Sequence, residues 1–76
     1  MEKILEKAIE FFNSEYEETE SYIKGKVFSP TEKIIEDSIQ RCLGVAFFVQ
    51  ALDVSYKDIE PHYQEIRTKL KSLLGE

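Results

Sequence analysis

The 76-residue sequence predicts an all-α fold, a small antiparallel three-helix bundle running up-down-up. Three observations carry that expectation. Apolar residues recur at 4-3-4-3 spacing in three successive segments, helix start and stop signals separate those segments, and the one apolar run that could be a strand has no second strand to pair with.

The first segment spans about Glu2 to Lys24. Leu5, Ile9, Phe12, Tyr16 and Ile23, with Thr19 in the remaining slot, form one stripe on a helix, and Ile4, Ala8, Phe11 and Tyr22 widen it. Glu2, Glu6 and Glu10 repeat at i, i+4 on the other side, which reads as a solvated face. Lys3 and Lys7 offset part of their mutual repulsion. Gly25 follows Lys24, as expected where a helix ends with a cation in its last turn.

The second segment opens with Ser29-Pro30-Thr31-Glu32, which reads as N-cap Ser, N1 Pro and a capping-box Glu at N3. From Pro30 to about Leu52 a helix is predicted, with Ile35, Ile39, Cys42, Ala46 and Val49 as its stripe. Its second half, Cys42 to Leu52, has Gln50 as its only polar side chain, so the helix is expected to be buried nearly all round. Gly44 weakens a helix interior by up to about 1 kcal/mol, and its expected compensation is close approach of another backbone.

The third segment starts at one of two places. Ser55 as N-cap, with Asp58 as its capping partner and Val54 and Ile59 as a hydrophobic staple, leaves Pro61 inside the helix. Asp58 as N-cap moves Pro61 to the first turn. Either start keeps Ile59, Tyr63, Ile66, Leu70 and Leu73 in one stripe, and Gly75 closes the helix.

At 8.9 kDa the chain reads as a single domain over residues 1–76. A compact monomer of this mass exposes about 4,800 Å², which allows one small core. Hydrophobic residues at 42% and charged residues at 33% describe a globular chain, and three Gly and two Pro argue against a loop-rich one. The net charge of −5 disfavours sequence-independent binding to nucleic acid. Charges interrupt any apolar stretch at the start, and the longest uncharged run is too short to span a bilayer, so a cytoplasmic location without membrane contact is expected.

Chemistry-bearing residues are few. A single Cys leaves no disulfide framework and no cysteine zinc site. Cys42 lies in the apolar stripe and reads as a small hydrophobe with a raised pKa. His62 has Glu65 one turn away, yet no third and fourth ligand is marked, and it reads as an exposed histidine at a helix start. No Gly-rich phosphate loop or nucleophile elbow is present. The sequence predicts no enzyme, cofactor, metal or small-molecule ligand.

Residues Phe48-Val49-Gln50-Ala51-Leu52-Asp53-Val54-Ser55-Tyr56-Lys57-Asp58-Ile59 resemble the core of a helix-turn-helix, whose turn often reads Leu-Gly-Val-Ser. The resemblance implies a DNA-binding regulator using residues 48–63, with Ser55 to Tyr63 as the reading helix. The chain departs from the pattern at Asp53, where the turn glycine is expected, at Val49, where a small residue packs, and at Pro61. That reading helix would present Asp58 and Glu60 to the groove with only Lys57 to attract phosphate. A cluster of Glu15, Glu17, Glu18 and Glu20 admits a third reading, an acidic mimic of nucleic acid.

The expectation that leads is protein–protein contact. A helix in a three-helix bundle touches two neighbours, and the second helix has more apolar circumference than two neighbours cover. Val45, Phe48 and Leu52 form a second stripe beside the first. The expected interaction surface is Val45, Phe47, Phe48 and Leu52, with Phe11 contributing. The expected partner is a second copy of the chain, or else the helix of another protein. A tightly filled monomeric core is the alternative.

Overall fold

The computed structural model describes residues 2–25 and 31–75. Three helices occur in order, α1 (Glu2–Lys24), α2 (Thr31–Ala51) and α3 (Tyr56–Ser72), and a 3-10 turn (Leu73–Gly75) ends the described chain. Each helix contacts the other two. The expected cap of α2 at Ser29 and Pro30 lies outside the described residues.

Side-chain pairs give the helix directions. Glu15 reaches Ser38 and Arg41 while Thr19 reaches Ser38, so α1 and α2 run antiparallel. Lys69 of α3 lies over the Tyr16 ring of α1 at 4.7 Å, and Ile9 and Phe12 flank the same cleft as His62 and Ile66. Later residues of α1 therefore meet later residues of α3, and the bundle is up-down-up. Its Cα extents are 39 × 16 × 15 Å. A helix of 17 residues is about 24 Å long, too long to lie across either short dimension.

The core joins all three stripes. Ile35, Ile39, Cys42, Ala46 and Val49 are buried on α2, and Ile59, Ile66 and Leu70 on α3, with Leu73 beyond it. Each large apolar side chain removed from water contributes about 1.5–3 kcal/mol. On α1 the buried line is Ala8, Phe12, Glu15 and Thr19, while Leu5, Tyr16 and Ile23 are partly buried beside it. This face is turned slightly from the expected one, because Glu15 points into the seam with α2 and Tyr16 sits at the edge.

The turn after α2 decides where α3 starts. The Val54 N–H donates to the Val49 carbonyl at 3.0 Å and the Asp53 N–H to the Gln50 carbonyl at 3.2 Å. This is a Schellman motif with Val54 and Val49 both buried beneath it. Asp53 occupies its left-handed position at φ 74°. Ser55 is the N-cap of α3, its hydroxyl accepting from the Lys57 N–H at 3.2 Å. Val54 is thereby held in the core with Ile59, as a staple requires.

The first of the two expected starts is therefore the one adopted, and Pro61 lies inside α3. Having no N–H, Pro61 cannot bond the Lys57 carbonyl. Both residues are exposed, so water reaches that turn.

Two expectations for Gly44 and its surroundings fail. Among the described residues, no neighbouring atom lies within 4 Å of where a Cβ on Gly44 would stand, so none of their backbone approaches it within the protomer. Nor is the second half of α2 buried all round, since Gly44, Phe47, Phe48, Ala51 and Leu52 are exposed. The stretch from Val45 to Val49 is helical, as expected.

Substitutions at two positions should change stability, each read by urea denaturation of dilute protein. Gly44→Ala fills open space and improves helix propensity, so it stabilises the fold by about 0.5–1 kcal/mol. Asp53→Gly relieves a left-handed residue and raises stability by up to about 1 kcal/mol, whereas Asp53→Val lowers it by about 1–2 kcal/mol.

Candidate interaction surface and the polar layer behind it

A helix advances 100° per residue, and the buried positions 35, 39, 42, 46 and 49 fix which side of α2 faces inward. The centre of the outward side then falls on Gly44 and Ala51, with Phe47 to one side and Phe48 to the other. The two rings are 63% and 64% exposed, and Leu52, one turn beyond Phe48, is 42% exposed. The outward side is thus a low floor of Gly44 and Ala51 between two projecting aromatic rings.

Of the five residues expected to form an interaction surface, Phe47, Phe48 and Leu52 lie together on this face. Val45 and Phe11 do not share it fully. Both are partly buried against the core. Tyr56 is an exposed aromatic at the same end of the bundle, 61% accessible as the first residue of α3. Sequence reasoning missed it because the two possible starts of α3 left its direction open.

Behind the N-terminal end of this face sits a polar layer that the periodicity did not mark. Thr19 donates to the Ser38 hydroxyl at 3.0 Å, and Ser38 donates to Glu15 Oε2 at 2.9 Å. Arg41 closes the network in two-pronged fashion, Nε to Glu15 Oε1 at 2.5 Å and Nη2 to Oε2 at 3.1 Å. Glu15, Thr19 and Ser38 are buried. Every buried side-chain nitrogen and oxygen among the described residues has a partner.

Burial pushes the Glu15 carboxyl up. The hydrogen bonds from Arg41 and Ser38, with the Arg41 charge, outweigh it and leave the group below the ordinary carboxylate value. Glu15 in turn pushes the Arg41 guanidinium up. Cys42, fully buried beside this layer, has its thiol pushed up to about 12, chiefly by burial and further by the Glu15 charge.

The acidic-mimic reading loses one of its four residues here, because Glu15 is buried and neutralised by Arg41. Glu20 is also engaged, 3.6 Å from Lys24 and accepting from the Tyr16 hydroxyl at 3.4 Å. His62 is partly buried rather than exposed, in a small cleft with Phe12, Ile66, Glu65 and Lys69. Among the described residues, no three His, Cys, Asp or Glu side chains are grouped to hold a metal ion, and no helix is long and apolar enough to cross a membrane.

The helix-turn-helix resemblance extends to one backbone detail, since the left-handed φ of Asp53 is what a turn glycine would adopt. The helix arrangement differs. A helix-turn-helix crosses its two helices at about 90–120°, whereas the narrow bundle holds α2 and α3 side by side along its length.

The polar layer gives the protein an acid-sensitive seam. The folded Glu15 carboxyl lies below its unfolded value, so its contribution to stability is complete above the unfolded pKa and is lost as pH falls through the folded one. Thermal unfolding followed between pH 7 and pH 3 should show Tm falling in the acid range, with a shallower fall in Glu15→Gln. At pH 7 Glu15→Ala costs about 2 kcal/mol, the value of hydrogen bonds to a buried charge. No family model, curated protein or solved structure matches this chain.

Proposed function

We propose that this protein acts without catalysis, through protein–protein contact, and that its principal partner is a second copy of itself docked on α2. One observation carries the reading. Phe47, Phe48 and Leu52 stand side by side on the outward face of a helix whose other face is already filled by the core. Left in water, they present about 300 Å² of apolar surface, judged from the usual area of such side chains. That is the size at which surface patches begin to mark interaction sites.

Area supports the same reading. The chain exposes 5378 Å², some hundreds of Å² above the value of about 4,800 Å² for a compact monomer of this mass. Part of that excess comes from the slender shape of the bundle. A standard interface covers about 800 Å² per partner, and small ones about 600 Å². The three side chains supply roughly half of the lower figure, and the exposed Gly44, Ala51 and Gln40 on the same side of α2 supply more.

Against nucleic acid as the partner stand the acidic net charge and the side-by-side packing of α2 and α3. Val45 and Phe11, partly buried against the core, are left out of the proposed surface.

Light scattering at several concentrations tests the reading. The wild type is expected to reach the mass of a dimer, and Phe48→Glu to remain a monomer at all concentrations with unchanged far-ultraviolet circular dichroism. Phe48 packs little within the protomer, so the substitution leaves the bundle intact. A wild type that stays monomeric at high concentration removes the homodimer.

A further inference from the structure

We draw no further inference here: the strongest candidate, the apolar outward face of α2 that carries Phe47, Phe48 and Leu52, is the surface already described, and nothing in the structure shows how or by what it is covered.

Discussion

A helix in a three-helix bundle has two neighbours, and two neighbours cover about two-thirds of its circumference. This constraint governs α2. Its inward residues, Ile35, Ile39, Cys42, Ala46 and Val49, meet α1 and α3 and are buried. The remaining third faces water whatever residues it carries, and in the last turns it carries Phe47 and Phe48. The exposed rings are thus a consequence of topology meeting composition, and no repacking of three helices hides them. A fourth helix laid along that side would cover them.

The same seam contains a polar layer whose physical role differs from that of the apolar stripe. Apolar contacts tolerate sliding, since one aliphatic side chain packs much like another. The network of Thr19, Ser38, Glu15 and Arg41 does not, because a shift of one turn leaves a carboxylate buried without its guanidinium. It therefore favours one register of α1 on α2. That register in turn sets Arg41 at the rim of the exposed face, with much of its side chain in solvent. An internal positioning contact and the charge pattern of the outer surface are in this way carried by one residue.

The turn from α2 to α3 shows how a local resemblance and a tertiary arrangement part company. Asp53 adopts the left-handed conformation that a helix-turn-helix reserves for glycine, and Ser55 caps the next helix. The direction that α3 then takes depends on the hydrophobic stripes. Ile59, Ile66 and Leu70 are buried against the length of the bundle, and a helix of about 24 Å cannot cross a body 16 Å wide. The turn motif is compatible with either geometry, and burial of the stripe selects the antiparallel hairpin.

Three helices, their approximate bounds and the inward residues of α2 and α3 were legible in the sequence, because helical spacing is a local property. An excess of apolar surface on α2 was legible too, as a surplus of apolar positions around one helix. Which residues would bear that excess was only partly legible. Periodicity grouped Val45 with Phe48 and Leu52, yet packing half-buries Val45 and leaves Gly44 and Ala51 between the rings instead. The polar layer was not legible at all. Glu15 read as one glutamate among several, since its partners lie 23 and 26 residues away on another helix. Residue type and spacing determine which face of a helix turns inward. Which polar groups can lie inside depends on pairing across the chain, and only the tertiary structure brings those partners together.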